Sequence, residues 1–305
     1  MRDVVRPIVI GIAAWIALMR PKQWIKNVVV LAGVVFAGRL DDPPFVLAAL
    51  AAFVVFCALS SAIYVFNDVI DVEKDRLHPE KKTRPVAAGR VSRGAALGLA
   101  ALLLAVGLAA AWQLGPRFSA TAVTFVGVNV SYSLWFKQRV IIDVMAISVS
   151  FMLRAIAGVE VLRDADPTIG LSAWLLLCTF FLALVMGFGK RRSELVLLQE
   201  HAAGHRSALE HYSVPLLDAI VPMTSTAAIL AYSIYTIWPE TVAKLATDKL
   251  VYTVPLVVYG FFRYLFLVRE RGLGGNPSEI LFRDRGLLLC VVTWVVAIVV
   301  ILYFR

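Results

Sequence analysis

Charge is scarce in this chain. Asp, Glu, Lys and Arg make up 17% of its 305 residues, against about 25% in a soluble globular domain. No polar stretch much exceeds about 30 residues, which excludes a large soluble domain. Cysteine is rarer still. Cys57, Cys178 and Cys290 all sit inside apolar runs, which excludes a disulfide framework and a Cys/His metal site. They read as small residues of the core or the lipid face. The first 23 residues carry charge and an apolar run but no convincing small-residue cleavage site. They read as an uncleaved leader lying at the membrane interface, not as a signal peptide.

Apolar sequence is what the chain has instead. It is 60% hydrophobic with a mean hydropathy of +0.80. Several runs reach the roughly 20 residues that cross a bilayer as a helix. The expected fold is therefore all-α: one polytopic transmembrane domain over residues 1–305. Spans are expected near 24–39, 45–66, 95–114, 118–136, 141–162, 171–188, 214–237, 249–268 and 286–303.

Sorting Lys and Arg by side of the membrane gives 22 against 6, with Arg154 and Arg263 inside spans. The crowded side includes Arg20, Lys22, Lys26, the 74–93 loop, Lys137, Arg139 and Lys190 to Arg192. The positive-inside rule makes that side, and the N-terminus, cytoplasmic. The net charge of +9 is thereby explained without a nucleic acid partner. A homo-oligomer is left open.

Polar chemistry collects on the same side. A transporter is expected to place binding groups near the midplane, at broken helices. An enzyme meeting a soluble substrate at one face and a lipid in the bilayer fits better. The strongest feature is "NDVIDVEKD", 67–75. At 100° per residue, with Asn67 at 0°, Asp68 falls at about 100°, Asp71 at about 40° and Asp75 at about 80°. The four share one face over roughly 12 Å. Three carboxylates so close repel unless a cation joins them. Hard oxygen donors suit Mg²⁺, which also bridges to phosphates. A solvated helix end is the bland alternative, but Asn67 and Asp68 interrupt an apolar helix where unpaired charge is costly. Lys81, Lys82 and Arg84 follow at once. They read equally as topological charge or as an anion clamp beside the metal.

At this point the chain resembles the UbiA superfamily of intramembrane prenyltransferases. "NDVIDVEKD" is similar to its N-D-x-x-D-x-x-x-D motif, and "HPEKKTRPVAAGRVS" to the basic loop that follows. The resemblance covers nearly the whole chain. It implies nine helices around a central cavity, with 24–162 and 171–268 bearing two pseudo-repeat halves and 286–303 as last span. It also implies a Mg²⁺-dependent diphosphate site. In the second half such enzymes usually carry another acidic pair. Here "FGKRRSEL", 188–195, supplies Lys190, Arg191, Arg192 and Glu194 instead.

That departure, with "RPKQWIKN" at 20–27, "YSLWFK" at 132–137 and "FMLRAIAG" at 151–158, resembles the decaprenyl-phosphate phosphoribosyltransferase branch of the family. The resemblance implies transfer of 5-phosphoribosyl from 5-phosphoribose 1-diphosphate to decaprenyl phosphate, toward the arabinose donor of cell-wall arabinan. The alternatives are prenyl transfer to an aromatic or haem acceptor and, more distantly, transport.

Catalytic and metal-binding roles are expected for Asp68, Asp71 and Asp75, with Asn67 as a further metal ligand. Asp75, a turn further out, is also placed for ribose hydroxyls. Phosphate contacts are expected from Arg154, because a lone Arg inside a span is expensive unless it faces the cavity. A structural pair with a carboxylate is its rival. Lys190, Arg191 and Arg192 are expected on the ribose 5-phosphate or the lipid phosphate, with Glu194 orienting an Arg or assisting the metal. Tyr132, Lys137, Lys22, Lys26 and Asn27 are further substrate contacts. Asp218 and Asp284 read first as topological loop charge, with partnership to an Arg as the lesser alternative. His78, His201, His205 and His211 read as solvated, and the 204–218 and 274–286 loops as caps over the soluble donor.

Overall fold

The computed structural model describes residues 2–77, 81–199, 209–275 and 277–304. Among these it contains helices and turns and no strand. Helix α1, Arg2–Met19, leads into a 3₁₀ segment, Pro21–Leu31, and a short α2, Ala32–Phe36. The long α3, Pro43–Ile70, continues through a one-residue break into α4, Val72–Leu77. Then come α5 (Arg93–Leu114), α6 (Pro116–Leu134), α7 (Ile142–Arg163), α8 (Ala173–Gln199) and α9 (Val214–Ile237). Four more follow: α10 (Pro239–Leu245), α11 (Val254–Arg269), α12 (Pro277–Arg283) and α13 (Arg285–Tyr303).

Local sequence sets these boundaries. Ser92, Ser213 and Asp284 cap α5, α9 and α13 by accepting from the backbone N–H three residues on, which satisfies donors that the first turn leaves orphaned. Proline opens α3, α6 and α10, where its missing N–H costs nothing. Gly115, at φ 132°, turns α5 into α6, and a Cβ there would lie 2.2 Å from the Asp164 carboxylate. That carboxylate accepts from the N–H groups of Arg117 and Phe118, so the end of α7 caps the start of α6.

Among the described residues, seven segments are helices long and apolar enough to cross a membrane: Pro43–Ile70, Arg93–Leu114, Ile142–Arg163, Ala173–Val196, Val214–Ile237, Lys249–Arg269 and Arg285–Tyr303. They match seven of the nine expected spans. The other two differ for separate reasons. Residues 24–39 form no single α-helix, because the 3₁₀ segment and α2 divide them. This segment lies hard against α7: a Cβ on Gly158 would come 1.9 Å from the Val30 carbonyl oxygen, and one on Gly33 2.1 Å from the Gly158 carbonyl oxygen. Helix α6, the expected 118–136 span, has 19 residues, about 28 Å, but is rich in hydroxyl and amide side chains. Ser119, Thr121, Thr124, Asn129 and Ser133 turn these back onto carbonyls four residues earlier. That satisfies the polar groups within the helix itself.

Helices α3 and α7 bury most of their spans, 56% and 61%, whereas α13 buries 17%. The first two are central and the last is peripheral. Phe56 of α3 packs on Phe118 and Phe125 of α6 inside a core that includes Val30, Leu59, Ala157 and Leu162. A second core joins Val144, Phe188, Tyr212, Leu217, Tyr264 and Ile280. Ala14 and Leu18 of α1 pack with Val65, Val72, Val86 and Val91. Tyr303 of α13 donates to the Val35 carbonyl at 2.9 Å, tying the last helix to α2. Outward side chains such as Leu47, Val54, Leu289 and Val296 are exposed, as a lipid-facing surface requires.

Candidate active site

Ion pairs gather at one end of the bundle. Helix α3 stops at Asp71, yet Asp71 N–H still bonds the Asn67 carbonyl at 2.9 Å and Asp75 N–H bonds the Asp71 carbonyl at 2.8 Å. The helical track therefore carries through the break, and Asp68 and Asp75 meet the same guanidinium. Arg84 Nη1 donates to Asp68 Oδ1 at 3.2 Å and to Asp75 Oδ2 at 2.7 Å. Arg20, in left-handed backbone at φ 54°, also pairs with Asp68 Oδ1 and lies over the Tyr64 ring. Burial pulls the Arg20 guanidinium below its usual range, and Asp68 opposes that shift. Asp71 turns instead to Lys137, whose Nζ donates at 2.7 Å. Asp68, Asp75 and Lys137 are buried.

The loop that delivers Arg84 is itself anchored. The N–H groups of Arg90 and Val91 both bond the Pro85 carbonyl, Gly89 turns at φ 71°, and Val86 and Val91 enter the core beside Leu18. Two oxygens here are buried without a hydrogen-bond partner: Asn67 Oδ1 and Asp68 Oδ2. A buried acceptor left unpaired costs about 1–3 kcal/mol. Hard oxygens on adjacent residues are the donor chemistry of Mg²⁺, so this pair fits a cation. Asp71 and Asp75 are occupied by Lys137 and Arg84. Among the described residues no three acidic groups converge as a metal cluster.

A second polar group lies deeper, where the 3₁₀ segment, α3, α6 and α7 meet. Asn27 Oδ1 accepts from Arg154 Nε at 2.8 Å and from Ser60 Oγ at 3.2 Å. Arg154 Nη1 donates to the Ser150 carbonyl and hydroxyl at 2.9 and 3.0 Å, and Ser150 bonds Asn129. Phe125 and Phe151 lie against the guanidinium at 4.7 and 5.0 Å. The carboxylate pair that sequence reasoning weighed as the rival for Arg154 does not form among the described residues. Lys26, half-buried, immediately precedes Asn27 in the 3₁₀ segment.

The second-half basic motif divides. Arg191 is 2% exposed and pairs with Asp143 at 2.7 Å and Glu194 at 2.6 Å, with Tyr132 OH at 3.4 Å. Tyr212 OH donates to the other Asp143 oxygen at 2.8 Å and accepts from Ile141 N–H. Burial raises the Tyr212 phenol above its usual range. Arg192 pairs with Asp218 at 2.6 Å and donates to the Val268 carbonyl. Lys190 is more open and lies 3.7 Å from Glu194. Asp284 pairs with Arg263 at 2.8 Å, which holds its carboxyl below the usual range. Lys22 and Lys82 are exposed and Lys81 half-buried. His211 is exposed in a turn, while His78, His201, His205 and residues 204–208 lie outside the described residues.

Sequence reasoning missed Asp143, Ser60, Ser150, Asn129 and Tyr212, and counted Arg20 only as topological charge. Asp143 had one available signal: a carboxylate in the first turn of a span, beside the basic "KQRVIID".

An all-helical membrane fold with an acid–base constellation at one end defines the class. A profile of the UbiA prenyltransferase family matches residues 27–283, and the chain belongs to that family. The decaprenyl-phosphate phosphoribosyltransferase of Mycolicibacterium smegmatis is 35% identical over 303 residues, spanning 96% of this chain and 93% of that protein. The enzyme of the same name from Corynebacterium glutamicum is 35% identical over 296 residues, spanning 94% and 86%. A UbiA homolog from Archaeoglobus fulgidus, solved bound to GPP and Mg²⁺, superposes with a TM-score of 0.69 at 17% identity, over 94% of this chain and 99% of that one.

Proposed function

We propose that this protein is a Mg²⁺-dependent decaprenyl-phosphate phosphoribosyltransferase of the bacterial plasma membrane. Its two substrates are 5-phosphoribose 1-diphosphate and decaprenyl phosphate, and diphosphate leaves. The product stands at the first step toward the decaprenylphosphoryl-arabinose donor. The observation that carries the reading is likeness to decaprenyl-phosphate phosphoribosyltransferases along nearly the whole chain. The basic 190–192 motif, in place of a second acidic pair, weighs against prenyl transfer from a prenyl diphosphate. Nine membrane crossings in two pseudo-repeat halves, with a cytoplasmic N-terminus and active site, belong to the same proposal. The 22-to-6 asymmetry of Lys and Arg supports the orientation.

Asn67 and Asp68 would hold the metal through their unpartnered oxygens, with Asp71 and Asp75 beside them. Bound there, Mg²⁺ supplies Lewis-acid neutralisation of the charge that develops on the leaving diphosphate. Arg20 and Arg84 fix Asp68 from two sides, and Lys137 fixes Asp71. Lys81, Lys82 and Arg84 border this surface and can meet diphosphate oxygens by charge-assisted hydrogen bonds. The ribose C1–O bond to the diphosphate breaks, and a C1–O bond to the lipid phosphate forms on the opposite face. The attacking phosphate is already anionic near neutral pH, so the chain needs no strong general base. Its contribution is positioning and fixed charge.

The test is direct. Purified protein with labelled 5-phosphoribose 1-diphosphate, decaprenyl phosphate and Mg²⁺ should yield a labelled lipid. Asp68→Asn and Asp71→Asn should lose turnover while remaining folded in detergent, and EDTA should abolish it in the parent. No labelled lipid from the parent would overturn the reading.

A further inference from the structure

Arg154 is 4% exposed, and its hydrogen-bond partners, Asn27 and Ser150, are both neutral. Two Phe rings flank the guanidinium. A buried cation without a counter-ion is among the costliest arrangements a protein core can hold. Inside a membrane segment, such a group marks a ligand path or a missing partner. Four elements nevertheless converge to hold it. Asn27 comes from the 3₁₀ segment and Ser60 from α3, while Asn129 of α6 orients Ser150 of α7. Nε and Nη1 are engaged, and among the described residues no hydrogen bond uses Nη2.

The depth of this group separates it from the acidic surface. Ser60 precedes Asp68 by eight residues on one continuous helix, about 12 Å along its axis. Arg154 lies twelve residues inside the start of α7, about 18 Å. The fixed cation therefore lies well below the layer of Asp68, Asp71 and Asp75, and Lys26 immediately precedes Asn27 in the 3₁₀ segment.

We propose that Arg154, with Lys26, forms a second anion subsite for a phosphomonoester, distinct from the metal-binding surface and independent of Mg²⁺. Asn27 and Ser150 are its positioning residues: they fix the guanidinium plane through Nε and Nη1 and leave Nη2 for the ligand. A phosphomonoester matches a buried guanidinium in charge, and its oxygens can accept from the two N–H bonds of Nη2. The proposed reaction offers two such groups, the donor's 5-phosphate and the lipid's phosphate. Only that choice of candidates rests on the proposed function.

Binding to the purified full chain, measured in EDTA, tests the subsite. The probes are ribose 5-phosphate in one arm and decaprenyl phosphate in the other, with decaprenol as the uncharged control. One phosphomonoester should bind the parent, and Arg154→Met should weaken it about 10- to 100-fold, the loss expected for a charge-assisted hydrogen bond of about 1.5–3 kcal/mol. The arm that responds names the phosphate. Arg154→Lys keeps the charge without the planar fork and should weaken the same probe about tenfold. It carries the test if Arg154→Met does not fold. Equal affinity in the parent and the folded variant, or no phosphomonoester binding to the parent in EDTA, overturns the subsite. Failure of phosphoribosyl transfer in the parent with Arg154-dependent binding intact would remove the function reading and leave the subsite standing.

Discussion

Removing the charge of Asp143 should weaken the fold more than any change at the exposed basic residues. Asp143 is 0% exposed and Arg191 2%, with 2.7 Å between Oδ2 and Nε. Stripping one partner from a buried pair costs about 3–5 kcal/mol, because the remaining charge stays desolvated. Two features put Asp143→Asn at the low end. Glu194 still bonds Arg191 at 2.6 Å, and an Asn carbonyl still accepts from Tyr212. About 3 kcal/mol corresponds to roughly a 100-fold shift in the folding equilibrium. A titration from mild detergent into SDS, followed by tryptophan fluorescence, reads this as an earlier unfolding midpoint. The double variant Asp143→Asn with Arg191→Met removes both charges and should recover a large part of the loss. A parent-like midpoint for Asp143→Asn, or simple additivity in the double variant, would show that Arg191 is not braced by this pair. The basic motif would then be open to phosphate at that position.

Among the three basic residues, Lys190→Gln should raise KM for one phosphate substrate about tenfold with its melting temperature kept. Arg192→Gln should instead lower melting, since Asp218 and the Val268 carbonyl lose their donor; the reverse pattern in steady-state kinetics and thermal melts would refute this division. Gly158→Ala should destabilise by at least about 1–3 kcal/mol through overpacking, because its Cβ would meet the Val30 carbonyl oxygen at 1.9 Å. Parent-like melting would contradict that backbone approach. A cysteine replacing exposed Lys74, in a background without Cys57, Cys178 and Cys290, should resist an impermeant thiol reagent in intact cells and react in inverted vesicles. The opposite labelling would reverse the proposed orientation.

The sequence by itself determined the solvent and the local geometry. Long apolar runs require helices, because the backbone must satisfy its own hydrogen bonds in lipid. The spacing of Asn67, Asp68, Asp71 and Asp75 put them on one track because helical periodicity is a local property, and it survived the break at Asp71. Local pattern did not distinguish an α-helix from the 3₁₀ segment at Pro21–Leu31: both bury similar apolar residues, and the deciding contact, Val30 against Gly158, lies far along the chain. Pairing of charges was likewise closed to sequence reasoning. Arg20 reaches Asp68 across 48 positions, Lys137 reaches Asp71 across 66, and Arg154 reaches Asn27 across 127. Lys190, Arg191 and Arg192 look equivalent as a row of letters, yet one is comparatively open and one is buried against Asp143. What separates them is burial, which sets how strongly a charge must be matched, and burial exists only once distant helices have packed.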